Sequence, residues 1–155
     1  MSPLGYAFFR APGPDAVRAA FDAGPALHDP AAAFEVLHPA DADPGDVLEL
    51  LDELVRTRPD ADLVDRTVWP SAERPHCFEI PGDPWTTGPW AHQLTAATRD
   101  LLATTPARTL LALRPHRRTP PAPALAALPA LTPLARRAAT AGEHLYYWLA
   151  APPAE

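Results

Sequence analysis

Two spacings run through this chain. Apolar side chains recur every second residue in some stretches and every three to four residues in others. The first spacing marks half-buried strands and the second marks amphipathic helices. Leu4 to Arg10 reads as an aromatic-rich strand, stopped by Pro12-Gly13-Pro14. Pro14 suits the first position of a helix, with Asp15 beside its positive end. Val17, Ala20 and Phe21 then share one face, and Gly24 serves as its cap. Phe34 to Leu37 is a short strand between Pro30 and Pro39. Asp43 is an N-cap and Pro44 a first-turn residue for the next helix. Val47, Leu48, Leu51, Leu54 and Val55 fall on its helical period, and Pro59 ends it.

The second half alternates more often. Leu63 to Trp69 and His76 to Ile80 read as strands joined through a loop containing Pro70, Ser71 and Pro75, which makes a hairpin. Gly82 to Gly88 reads as a loop. Pro89 is expected to start a helix with Trp90, Leu94, Ala97 and Leu101 on its inner face. Arg108 to Arg114 is expected to be a strand. Residues 115–131 are rich in Pro and Ala and are expected to form a surface loop or a broken helix, because Pro120, Pro121, Pro123 and Pro129 oppose a long regular one. Thr132-Pro133 starts a helix that stops at Gly142. His144 to Ala150 is a last strand, with Leu145, Tyr147 and Leu149 opposite Tyr146 and Trp148. The interleaving predicts a single α+β domain over residues 1–155, with helices packed on a mixed or mostly antiparallel sheet of about five strands.

Composition narrows the chemistry. A chain of 155 residues with 47% hydrophobic positions has enough material for one core without disulfides or a structural metal. Cys77 is the only cysteine, so no internal disulfide forms. The first ten residues lack the basic lead-in of a secretory signal, and the expected compartment is the cytoplasm. No apolar run is long enough to span a membrane. The net charge of −6 argues against a nucleic-acid surface, which is usually basic. All 13 basic residues are Arg, and Lys and Asn are absent; GC-rich coding is the simplest cause. Without Lys there is neither a Schiff base nor a P-loop lysine. No cofactor is expected.

Several residue groups carry chemistry on paper. His76, Cys77, Glu79, Trp85, Trp90 and His92 are the densest cluster, with Trp69 nearby, and aromatic walls with a few polar groups suit a ligand or partner site. Cys77 acting as a nucleophile needs a base such as His92 or His144. The six histidines, at 28, 38, 76, 92, 116 and 144, lack the spacing of a metal site. Asp41, Asp43 and Asp46, and Asp60, Asp62 and Asp65, read as capping and solvated carboxylates. Arg114, Arg117 and Arg118 with His116 form a basic knot suited to a phosphate or an acidic partner. Trp69, Trp85, Tyr146 and Trp148 are aromatic anchors of the kind that hold interfaces.

Four fragments carry a resemblance: Tyr6 to Pro12, the helix Val47 to Val55, the run from Asp62-Leu63-Val64 to Val68-Trp69-Pro70, and the ending from Ala135-Arg136-Arg137-Ala138 to Gly142-Glu143-His144-Leu145-Tyr146. They resemble a family of uncharacterised bacterial proteins and, more distantly, the YfbM-like domains of unknown function. The resemblance implies an α+β fold with a helix-covered sheet and no particular reaction. Some relatives occur among toxin-neutralising or defence-linked proteins. With no catalytic constellation, an acidic net charge and spare aromatics, the expected function is a non-catalytic protein-interaction module whose partner is another protein, with an immunity- or defence-associated role as its sharper version. The alternative is a small enzyme or ligand-binding protein with a site around His76 to His92.

Overall fold

The first and last strands lie side by side at the centre of the sheet. In the computed structural model, which describes residues 5–23, 30–39, 41–71 and 83–150, β1 (Gly5–Ala11) pairs antiparallel with β5 (His144–Ala150) along its whole length, from Gly5 opposite Ala150 to Ala11 opposite His144. β2 (Glu35–Leu37) flanks β1, β4 (Trp90–Leu94) flanks β5, and β3 (Val64–Trp69) pairs with β4. The order is β2-β1-β5-β4-β3, and every pairing is antiparallel. The α+β expectation holds, and its sheet is antiparallel throughout.

Strand alternation sends successive side chains to opposite faces, and both faces are apolar here. Tyr6, Phe8, Leu145 and Tyr147 join one core with α2 (Pro44–Val55), α4 (Ala96–Thr104), α5 (Ala107–Leu111) and α6 (Ala122–Ala141). Phe9, Ala11, Val68, Ala91 and Tyr146 join a smaller core with Val17 and Phe21 of α1 (Pro14–Asp22). The expected cap of α2 is present: Asp43 Oδ1 accepts from the Gly45 N–H at 2.8 Å. Val47, Leu50, Leu51, Leu54 and Val55 are its buried stripe.

Three expectations are corrected. Pro89 does not start a helix: Trp90 to Leu94 is strand β4, and the helix begins at Ala96, capped by Thr95, whose Oγ1 accepts from the Thr98 N–H at 3.2 Å. Trp90, His92 and Leu94 also fit a two-residue period, and pairing with β5 decides between the two spacings. Arg108 to Arg114 is not a strand. Ala107 to Leu111 is helical, with Leu110 buried and Leu111 turned out to solvent.

The third correction concerns the Pro-rich segment. Only residues 115–121 are a turn and an extended run; a continuous 20-residue α6 follows. Thr132-Pro133 lies inside it, and the helix stops at Gly142 as expected. Pro123 sits in the first turn, where no N–H is needed. Pro129 and Pro133 each remove a ladder bond at a cost of about 3 kcal/mol. Ala124, Ala127, Leu128, Leu131, Leu134, Ala135 and Ala138 make one buried stripe that crosses both prolines. Packing that stripe against α4, α2, α5 and the sheet, at very roughly 1.5–3 kcal/mol per large side chain, offsets the loss. In the expected loop at 82–88, Pro84–Thr87 forms a one-turn helix, α3, capped by Asp83. The expected strand at His76 to Ile80, its hairpin and the Gly24 cap lie outside the described residues.

Candidate functional site

The structure separates the aromatic residues that the sequence groups together. Trp90 and His92 project from β4 toward the helix-covered face, while Trp69 packs on the opposite face, edge-on to Phe21 at 5.6 Å. The Trp90 indole donates to the Trp85 carbonyl at 3.0 Å. Its ring lies over Gly88, which has φ +71 and no room for a side chain: a Cβ there would sit 2.7 Å from the ring. His92 Nδ1 lies 3.0 Å from Thr67 Oγ1, and its ring stacks near Tyr147. Burial lowers the His92 pKa, so the ring is neutral at pH 7. Trp85, Trp90 and His92 thus have structural partners. His76 and Glu79, with Cys77, lie outside the described residues. His92 and His144, the two bases considered for Cys77, face opposite sides of the sheet. Among the described residues no group of three His, Cys, Asp or Glu side chains is placed to hold a metal ion.

A different cluster emerges on the α1 side. Gln93 on β4 lies directly opposite Tyr146 on β5, and both are buried, 4% and 0% exposed. His144 and Trp148 flank Tyr146 two residues away on the same strand, hence on the same face. Gln93 Oε1, Tyr146 Oη, His144 Nδ1 and Trp148 Nε1 are all shielded from solvent and have no hydrogen-bond partner among the described residues. A native protein pairs most such atoms with protein or ordered water. Phe9 stacks on the Tyr146 ring at 5.1 Å, and Phe34 stacks on Phe9 at 5.2 Å. Burial chiefly pushes the Tyr146 hydroxyl up to about 12, against the pull of Arg66 and Arg18, so it stays protonated. The sequence reading named Tyr146 and Trp148 but missed Gln93. The available signal was compositional: Gln93 is the only carboxamide side chain in the chain.

The basic knot occupies a third position. Leu111, the last residue of α5, is 44% exposed. Arg114 folds back to donate to the Leu111 and Leu113 carbonyls at 2.9 and 2.7 Å. His116 and Arg117 both adopt left-handed backbone, with φ +52 and +60. Glu49 of α2 meets His116 at 3.4 Å and Arg118 at 3.8 Å, beside a hollow of about 140 Å³ lined by Asp46, Pro115 and Pro121. Arg108 and Arg117 have no ion-pair partner among the described residues.

Arg10 and Arg137, by contrast, are paired. Arg10 bonds Glu35 at 2.7 Å and also pairs with Glu143, while Arg137 of α6 pairs with Glu35. These contacts clamp α6 to β1 and β2. Among the described residues no helix is long and apolar enough to cross a membrane. No family model, curated protein or solved structure matches the chain.

Proposed function

We propose that the chain is a non-catalytic protein-interaction module and that residues 108–118 form its contact surface. The observation that carries this reading is Leu111, a large apolar side chain 44% exposed at the end of α5. It sits in an eleven-residue run that holds four of the chain's 13 arginines and none of its 19 acidic residues. An apolar centre with an arginine rim is the usual composition of an interface anchor. The guanidinium groups favour bidentate pairing with carboxylates, so the partner is a protein with an acidic surface.

The backbone supports the same reading. Two successive non-glycine residues in the left-handed region cost on the order of 1–2 kcal/mol each. Buried Pro115 and the Glu49 contacts hold them there, and such strain is typically retained where it presents functional side chains. The resemblance to YfbM-like domains extends the proposal: the partner is a toxin or another defence-linked protein, met in the cytoplasm.

The test is the double variant Leu111→Glu/Arg117→Glu. Both side chains are exposed, so the melting temperature should stay within the range of ordinary surface changes, about 0.5 kcal/mol. Wild-type protein should capture a stoichiometric partner from native cell extract, with capture weakening as salt rises. The variant should lose at least roughly tenfold in affinity, about 1.4 kcal/mol. Equal capture by both proteins, or no stoichiometric partner for either, contradicts the reading.

A further inference from the structure

We propose that the surface where the C-terminal part of α6 meets β1 holds a binding site for a small phosphate monoester, gripped by Arg10, Arg136, Arg137 and Thr140. This site goes beyond the Leu111 surface and stands on a different observation. A hollow of about 320 Å³ is lined by those four residues and Ala141, and by no acidic side chain among the described residues. The chain has 19 acidic and 13 basic residues, so three guanidinium groups around one hollow run against its overall charge.

The guanidinium groups are held in place by the protein itself. Arg10 on β1 donates from Nε to Glu35 at 2.7 Å and from Nη1 to Glu143. Arg136 Nε donates to the Ala103 carbonyl at 3.0 Å, which fixes the direction of its fork. Both Arg136 Nη groups remain without a partner among the described residues. Arg137 pairs with Glu35 through Nη2. Each arginine is thus anchored by part of its fork and keeps further N–H donors for a ligand. Thr140 lies one turn beyond Arg136 on the same side of α6 and adds a hydroxyl donor.

Charge selects an anion. Glu35 and Glu143 anchor Arg10 and Arg137 but leave Arg136 without an ion pair among the described residues. The end of α6 carries only about half a negative charge. Its Ala138 and Ala139 carbonyls already accept from the Glu143 and Gly142 N–H groups. The helix end therefore does not cancel the third arginine. Arginine forks match the oxygens of carboxylates and phosphates. A carboxylate has two oxygens and fills one fork. A phosphate monoester presents three, with a charge of about −1.5 to −2 at neutral pH, and so meets donors arriving from two elements. The hollow falls at the low end of the roughly 300–1,000 Å³ range of small-molecule sites, which leaves room for a compact organic body beside the phosphate.

The experiment titrates the full chain with ribose 5-phosphate and glycerol 3-phosphate by calorimetry at fixed ionic strength. Ribose, succinate and inorganic phosphate serve as comparison probes. At least one ester should bind saturably, one per chain. It should bind more tightly than inorganic phosphate and at least roughly tenfold more tightly than succinate, while ribose gives no binding. Arg136→Gln should weaken the ester at least roughly tenfold. Arg136 is exposed, so the variant should keep a cooperative melt. Arg58→Gln, at an exposed position beyond the end of α2, should leave the affinity unchanged. The proposal is overturned if neither ester saturates, or if succinate or inorganic phosphate binds as tightly. It is also overturned if folded Arg136→Gln keeps the wild-type affinity, or if Arg58→Gln loses as much, which would mean non-specific attraction.

Discussion

On β5, Leu145, Tyr147 and Leu149 face four helices, whereas His144, Tyr146 and Trp148 share their side with one described helix. The polar groups differ in the same way. Toward the helix-covered side, the Tyr6 hydroxyl donates to the Ala42 carbonyl at 2.7 Å, the Thr98 hydroxyl to the Leu63 carbonyl at 3.1 Å, and His92 meets Thr67. Toward α1, Gln93, Tyr146, His144 and Trp148 each leave a buried atom unpaired; Thr132 in α6 is the one other among the described residues. One strand thus serves two purposes. One side is packed and satisfied and holds the fold together, while the other keeps hydrogen-bonding capacity in reserve.

Breaking the packed side should cost most. Leu51 is fully buried on α2, and Leu51→Asp places an unpaired carboxylate in the core. Loss of more than about 4 kcal/mol is expected, enough to unfold a domain of ordinary stability. Circular dichroism should show no cooperative melting at room temperature and above; an unchanged melting temperature contradicts the assignment of α2 to the core.

That side was also the more legible. Asp43-Pro44 and the leucine spacing after it define α2 without tertiary information, and the strict alternation of Leu145 to Leu149 defines β5 and its two faces. Trp90 to Leu94 was misread because Trp90, Leu94, Ala97 and Leu101 suit a helix, and only the neighbouring β5 selects the strand. Prolines 129 and 133 obscured α6, whose continuity depends on a stripe of small and leucine side chains meeting α4, α2, α5 and the sheet. The Gln93 cluster was illegible for a similar reason. Its meaning lies in the register that sets Gln93 opposite Tyr146, and no local pattern encodes that register.

A smaller effect should appear with pH. His92 has a folded-state pKa below its usual 6.5 because of burial. As pH falls through 6.5 the unfolded chain takes up a proton that the folded chain refuses, so stability declines on the acid side. His92→Gln should flatten the melting temperature between pH 7 and pH 5; an unchanged slope there contradicts the burial of this ring.

Smaller still is the Arg10–Glu35–Arg137 clamp. Hydrogen bonds from Arg137 and Arg10 lower the Glu35 pKa below its ordinary value of 4.5. Its contribution is complete above that value and is lost as pH falls through the lower, folded-state pKa. The partners are partly exposed, so Glu35→Gln should cost under about 1 kcal/mol at pH 7 and progressively less as pH falls below 4.5. A cost independent of pH would mean that packing, and not charge, holds α6 to β1 and β2.

The contrast between the two faces is tested most directly by the thermal stability of Gln93→Met and Tyr146→Phe. Each removes a buried polar atom that has no partner, so the melting temperature should stay level or rise. A fall corresponding to about 1–3 kcal/mol for either variant would show that these groups already make hydrogen bonds within the native protein, and the reserve attributed to the α1 face would not exist.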